Sequence, residues 1–388
     1  MFCAWSGHFW RWDSVVLRAR NPEEPRRSAV AFATTRPPSS GIMDRLERST
    51  IRVLFASKHP DRGASLVRGM QVAQMWRSSL MLSSPQMACH VLHAPTPTAC
   101  AGRSRSLIVV HLKDISSTLF RLLPFAVHLL DPIDKIYRGW SMPSDRRLCG
   151  LVAHSAAQAT LYRAETGVRR VWVVPDHGLA RCAADDSDSG GHSGSWHSVF
   201  LRRTVLVLGG SPSERLRGTL SNWANSGRVA VLYEKDLRSN ASFASSHGWE
   251  AWLCNALQRT ASVAVAWDQI SGLPFEAACT EQMGLTSAQC FDLKPAERFV
   301  VPLSAGVPTV GFAGYASFRE AVGGTDADGL LASSIDGLLR HLTALTTDFM
   351  RWRHTRVRGR RVGRTHGTDV IRSTYERVRR EANASCGR

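Results

Sequence analysis

The chain has 388 residues, 44% of them hydrophobic, and a formal net charge of +17. That length exceeds what one hydrophobic core supports, so two domains with appendages are expected. No apolar run reaches the ~18 to 20 residues of a membrane span: the nearest, Leu119 to Leu130, is broken by Arg121, Pro124 and His128, which predicts a cytoplasmic or peripheral membrane protein without a transmembrane helix. The excess of cations calls for an acidic partner. Its densest block, Arg351 to Arg364, fits a solvated helix face or an anionic membrane surface, whereas nucleic acid is not expected because no recognition motif accompanies it.

Residues 1–48 mix Arg, Pro and Ser with isolated aromatics, and the first twelve, Met1 to Trp12, have neither the continuous apolar core nor the small-residue cleavage site of a secretory signal. They are read as a disordered or targeting leader, outside the fold. Ile51 to Ala56 predicts the first strand. A polar loop, Ser57 to Ala64, follows it, and Ser65 can cap the next helix. Further strands are predicted at Ser106 to Leu112, Phe125 to Leu130, Leu151 to Ala153 and Arg170 to Val174. Short, mostly apolar strands with room for helices between them suit a parallel sheet covered on both faces. Residues 49–180 are therefore taken as a first α/β domain.

The Asp-, Ser- and Gly-rich stretch Ala183 to Ser198 predicts a linker, assigned to residues 181–200. A second alternating half, residues 201–350, begins with Thr204 to Leu208 and continues through Val229 to Tyr233, Ala261 to Trp267 and Thr309 to Phe312, with a helix over Ser334 to Thr347. Residues 351–388 form a basic C-terminal helix or tail. Its stripe of Trp352, Val370, Ile371, Tyr375 and Val378 can cross back onto the first domain. The nine cysteines show no C-x-x-C pairing and an odd total, which argues against a disulfide framework and a structural zinc site. The sequons at Asn240 and Asn383 are read as chance matches.

Two α/β halves place the ligand site in the cleft between them, at the carboxyl ends of the strands. Lys294 to Phe312 carries the strongest local signal. Pro295 suits a first helical turn, Lys294 and Arg298 can face the same helix end, and Gly306 suits a C-terminal cap before the strand at Thr309. Cations beside exposed helix N–H groups suit a phosphate or diphosphate. Gly209, Gly210 and Ser211 could bring backbone N–H groups to the same anion. Glu297 could approach a ribose or pair with a neighbouring Arg. In the first half, His59 or Asp61 could act as a general base or simply cap their loop, which ends at Ser65 and could hold an acceptor; Arg68, on the first helix, could turn to the cleft or lie at the surface, and His111 and Asp131 fall near strand ends, where sites cluster.

Several patterns resemble the GT-B glycosyltransferases, especially the glycosyl-transferase group 1-like branch. Val152-Ala-His-Ser155, Leu161, Gly167 and Val171 to Gly178 resemble the family's passage into the interdomain hinge. Lys294-Pro-Ala-Glu-Arg298 with Ala305-Gly-Val-Pro308 resembles its nucleotide-sugar-facing helix and following strand, and Ser317-Phe-Arg-Glu320 the polar turn after it. The resemblance implies two Rossmann-like domains facing each other across a cleft. It also implies a nucleotide-sugar donor held by the second domain (Lys294, Arg298, Glu297, Gly209, Gly210, Ser211, Glu320), an unknown acceptor on the first, and no metal or other cofactor. Retaining members carry two glutamates eight positions apart, the second five before the Gly of the turn; here those positions are Leu293 and Val301. The reading is thus a glycosyltransferase, with a catalytically inactive nucleotide- or sugar-binding protein on the same scaffold as the alternative and a basic nucleic-acid-associated protein third.

Overall fold

The computed structural model describes residues 16–17 and 31–32, 52–57, most of 68–133, 136, 148–176, 178, 193–209, 213–236 except 235, 253–267, and 279–386 except 282 and 324–328. Strands β1 (Val16–Leu17) and β2 (Ala31–Phe32) pair antiparallel within the segment read as a leader. The first α/β unit then runs β3 (Val53–Ala56), α1 (Val72–Met75), β4 (Ser79–Leu82), α2 (Pro97–Arg103), β5 (Ile108–Leu112), α3 (Ser117–Leu122), β6 (Val127–Asp131), β7 (Leu148–Ala153), α4 (Ala156–Thr166) and β8 (Val171–Val173). Its six strands are all parallel, in the order β4-β3-β5-β6-β7-β8. Strands β3, β5, β6 and β7 are buried along their whole length, as expected for a sheet covered on both faces.

The second unit comprises α5 (Ser193–Leu201), β9 (Thr204–Leu208), α6 (Glu214–Gly227), β10 (Ala230–Tyr233), a π-helical turn (Ala256–Thr260), β11 (Val263–Ala266), α7 (Ser287–Asp292), α8 (Glu297–Ser304), β12 (Thr309–Phe312), α9 (Ala316–Ala321), β13 (Leu331–Ala332) and α10 (Ile335–Thr347). Its parallel sheet has the order β10-β9-β11-β12-β13. In each sheet the order of addition reverses beside the first strand, at β3/β5 and at β9/β11, the doubly wound arrangement of a Rossmann-like domain. The fold is thus α/β with two such domains.

Two boundaries differ from the sequence reading. The linker expected through residue 200 gives way at Ser193 to α5, because Trp196, Val199 and Phe200 lie three and four apart and pack into the second core. Helix α7 and its approach follow β11 in sequence, yet Cys279, Leu285, Cys290 and Leu293 join Leu151, Ala159 and Tyr162 in a core shared with the first domain.

The chain closes with α11 (Phe349–Thr365) and α12 (Thr368–Cys386). Trp352 is fully buried in the second domain, where its indole N–H donates to the Ser262 carbonyl at 2.7 Å. Helix α12 crosses to the first sheet: Ile371, Tyr375, Val378 and Ala382 recur at helical spacing and lie in the core with Val53, Phe55 and Val110. Val370 points outward. The cysteines correct the expectation of no disulfides. Cys89 pairs with Cys100, Cys279 with Cys290, and Cys149 of β7 with Cys386 at the end of α12. No C-x-x-C spacing announces these pairs, because the fold brings them together from separate elements or across a loop.

His111 and His128 stand side by side on β5 and β6, both wholly buried. The Ser116 N–H donates to His111 Nδ1 at 3.2 Å, so the ring proton of His111 lies on Nε2 and is directed to His128 Nδ1 at 3.0 Å. His128 Nε2–H then donates to the Leu123 carbonyl at 3.1 Å. This chain of two neutral rings ties the two strands to α3. It places His111 inside the core, away from the cleft where an acceptor would bind. Burial, then the adjacent His128, lowers the His111 pKa to about 3.

Because that folded value lies below the ~6.5 of an unfolded histidine, the stabilisation is complete above pH ~6.5 and is lost as pH falls toward 3. His111→Ala leaves the Ser116 N–H and His128 Nδ1 without their partner and opens a cavity, at an expected cost of about 3 kcal/mol at pH 7.5. Urea unfolding at pH 7.5 and pH 5 should show a steeper acid loss in the parent chain than in the variant; parallel losses would contradict a neutral buried His111.

Candidate functional site

The carboxyl ends of the two sheets face one another, and three cross-domain contacts establish it. Helix α4 starts directly after β7, capped by Ser155, whose hydroxyl accepts from the Gln158 N–H. Its next two N–H groups, those of Ala156 and Ala157, donate to the two carboxylate oxygens of Glu320 from α9, at 2.7 and 3.0 Å. A carboxylate is favoured there by the free N–H groups and the helix dipole. Reciprocally, the N–H of Ala296, at the start of α8, donates to Asp176 Oδ2 at 2.7 Å from the end of the first domain. Gln158 Nε2 also lies 3.4 Å from the Leu293 carbonyl.

Asp176 belongs to a buried network centred on Arg68, which is only 2% exposed. The guanidinium donates through Nε to Asp131 Oδ2 at 2.6 Å, through Nη1 to Asp176 Oδ1 at 2.7 Å and through Nη2 to the Val174 carbonyl at 3.2 Å. Burial alone would favour a neutral Arg68, but the two carboxylates outweigh it and raise its pKa. Burial likewise opposes ionisation of Asp176, yet His154, Arg68 and the Ala296 N–H hold its carboxyl below the usual carboxylate range. Asp131 Oδ1 accepts the Ile133 N–H at 3.1 Å, and the Ile133 carbonyl accepts from Gln158 Nε2 and Tyr162 Oη. Ile133 sits at φ 65°, in the left-handed region that a β-branched residue adopts only under constraint.

The second domain contributes a cluster around the start of α8. The helix begins at Glu297, so Lys294 lies in the turn ahead of it, its carbonyl accepting from Ser317 Oγ at 2.6 Å, and Arg298 lies in the first turn. Both side chains are half-buried. Pro302 falls inside α8 without ending it, and Gly306 takes φ +74° beyond it, the conformation that the helix-to-strand turn requires. At the mouth of β9, Gly209 (φ 138°) donates its N–H to the Glu234 carboxylate at 3.1 Å. Glu297 is half-buried, and its pKa is raised to about 7 by burial and by the nearby Asp176 and Glu234 carboxylates, against the opposing pull of Arg298.

The structure thus gathers Lys294, Glu297 and Arg298 at the start of α8, with Glu297 near the Glu234 carboxylate that accepts the Gly209 N–H. It places Arg68 and Asp131 in the buried ion network and His111 in the first core. Glu320 is engaged across the domain boundary, capping α4. His59, Asp61, Ser65, Gly210 and Ser211 lie outside the described residues. Asp176, His154, Gln158 and Glu234 were not singled out as site residues in the sequence. His154 and Asp176 fall within the stretches that resemble the family's hinge passage and Glu234 directly follows β10, whereas Gln158, inside α4, carried no such signal. Among the described residues no group of three or more His, Cys, Asp or Glu side chains is placed to hold a metal ion.

Asp176→Ala leaves the buried Arg68 charge half-compensated and is expected to cost about 3–5 kcal/mol. Glu320→Ala removes only an exposed cap and is expected to cost about 1 kcal/mol. Urea unfolding of the two variants compares them, and similar costs would contradict the difference in burial. For Glu297, a folded pKa above the unfolded value means that stability falls as pH rises from ~4.5 through 7. Glu297→Gln should therefore raise the melting temperature at pH 8 and leave it unchanged near pH 4.5. A gain of equal size at both pH values would show that the carboxyl is not held protonated.

No protein-family model matches the chain, and no curated protein matches it. Among solved structures, Anabaena HepE in complex with UDP and glucose matches with a TM-score of 0.48 at 12% identity, over 84% of this chain and 99% of that one. AviGT4, a glycosyltransferase involved in avilamycin A biosynthesis, matches with a TM-score of 0.46 at 13% identity, over 87% and 99%. Sucrose-phosphate synthase from Thermosynechococcus elongatus gives 0.45 at 10% identity, over 87% and 100%. These are similarities in the arrangement of two α/β domains.

Proposed function

We propose that this chain binds a nucleoside diphosphate-sugar in the cleft and transfers the sugar to an acceptor on the first-domain side. The observation that supports the reading is that the carboxyl ends of two doubly wound sheets face one another, and that α8, with Lys294 just before it and Arg298 in its first turn, starts at that boundary. A departing nucleoside diphosphate accumulates negative charge, and cations fixed beside it lower the barrier. Glu297 fits the same task. With a pKa near 7 its carboxyl can stay protonated beside a phosphate or sugar hydroxyl, donating a hydrogen bond where a carboxylate would repel.

A second reading, a binding protein without transferase activity, is favoured by a specific observation. Leu293 and Val301, at the positions of the two glutamates of retaining relatives, are buried apolar side chains within the packed core. Two of the backbone donors on this side, Gly209 and Ala296, are moreover already held by Glu234 and Asp176.

Titration with UDP, GDP and ADP, followed by thermal unfolding, tests both readings. A nucleotide at a hundred times its Kd should stabilise the fold by about 2.7 kcal/mol, and Lys294→Ala or Arg298→Ala should each weaken binding about tenfold. Release of nucleoside diphosphate from a nucleotide sugar supports transfer, whereas binding without release supports the second reading. Absence of any nucleotide effect, together with an unchanged Lys294→Ala variant, would overturn the site.

A further inference from the structure

Helix α11 reads FMRWRHTRVRGRRVGRT: seven arginines and one histidine in 17 residues, and no acid. Its buried face is made by Trp352, Thr355, Arg356, Gly359 and Gly363. The glycines let the helix lie close on α8: a Cβ at Gly359 would meet the Leu303 side chain at 2.6 Å, and one at Gly363 the Ser304 backbone at 2.7 Å. With that face fixed, helical spacing puts Met350, His354, Val357, Arg361 and Arg364 in one stripe on the opposite side. Met350 is 65% and Val357 37% exposed, and both stand among the few large apolar side chains that face solvent. Arg351 and Arg353 are exposed on the flanks, with the Arg353 guanidinium 5.6 Å from the centre of the Trp196 ring.

Two physical facts about this helix point to a partner. Arg351, Arg353 and Arg361 are exposed on a helix that carries no carboxylate of its own, so its outer side is a surface of one sign of charge. A surface of dense negative charge complements it. The stripe also carries two exposed apolar side chains, Met350 and Val357, one heptad apart with His354 between them. Apolar side chains flanked by arginine suit the boundary between lipid headgroups and acyl chains. Arginines also bind nucleic-acid phosphates, but Met350 and Val357 can neither hydrogen-bond to a base edge nor stack on a base, so their exposure favours the lipid surface.

We infer that the outer face of α11 docks the protein on a membrane surface rich in anionic lipid headgroups, with Met350 and Val357 entering the headgroup layer and the arginines holding phosphate groups around them. No helix among the described residues is long and apolar enough to cross a membrane, so the attachment is peripheral. It is independent of the sugar-transfer reading, because α11 meets α8 through Leu303 and Ser304, at the end opposite Lys294 and Arg298.

The test is sedimentation of the full chain with vesicles of phosphatidylcholine alone and with one-fifth phosphatidylserine, at 0.1 M and 0.5 M salt. Binding is expected only with the anionic lipid and should fall steeply at the higher salt. Reversing Arg351 and Arg361 to Glu should lower the partition coefficient at least about twentyfold. The same change in charge at Arg169 and Arg215, exposed residues on other elements, should lower it far less. Met350→Ser with Val357→Ser should weaken vesicle binding and leave any retention on duplex RNA unchanged. Thermal unfolding of each variant confirms that it is folded. Equal losses from the two charge reversals, absence of vesicle binding by the parent chain, or preference for RNA over anionic vesicles would each overturn the proposal.

Discussion

A guanidinium leaves water only when opposite charge stands within hydrogen-bond reach, and Arg68 meets that demand from two places distant in sequence. Asp131 ends β6, the fourth strand of the first sheet in chain order, and Asp176 lies just past the last strand of that domain. The ion pairs are not chiefly a source of stability, since desolvation consumes most of their Coulomb gain. Their consequence is geometric. Asp176 can satisfy Arg68 only where its other oxygen meets the Ala296 N–H and its own carbonyl meets the His366 ring at 2.7 Å. One residue therefore fixes the first sheet, the start of α8 and the turn between the last two helices relative to one another.

The same economy appears at the helix ends that look into the cleft. An N-terminus of a helix is a site for an anion, and in α4 and α8 the anion is a carboxylate from the other domain. Gly209 shows the same pattern within one domain, its N–H held by Glu234. Backbone dipoles are thus largely neutralised inside the protein, and the positive character on the second-domain side rests on the side chains of Lys294 and Arg298. Three carboxyl groups near one another cannot all ionise cheaply, and the half-buried Glu297 is the one whose affinity for its proton rises.

Helix α11 presents the opposite situation. Its charges are of one sign, lie mostly at the surface and find no carboxylate in their own helix, while its inner face is fixed by Trp352 and by glycines that fit against α8. The helix is held on its inner side by packing. That separation lets one segment serve as part of the fold on one side and as a charged surface on the other.

The alternation of strands and helices was legible in the sequence because strands buried on both faces must be mostly apolar, as Ile108–Leu112, Thr204–Leu208 and Val263–Ala266 are. The helix-ending Gly306 was legible because few other residues adopt its backbone angle. The four-residue β4 and two-residue β13 gave too little pattern to detect, and α5 was hidden by a composition rich in serine and histidine. The sequence by itself thus determined two α/β domains of alternating strands and helices, since hydrophobic periodicity and backbone restrictions act locally. Only the tertiary structure decided that Arg68 and His111 are buried, that Glu320 and Asp176 cap helices of the opposite domain, and that the cysteines pair. A charged side chain's role depends on which distant group meets it once water is excluded, and that is a property of the fold.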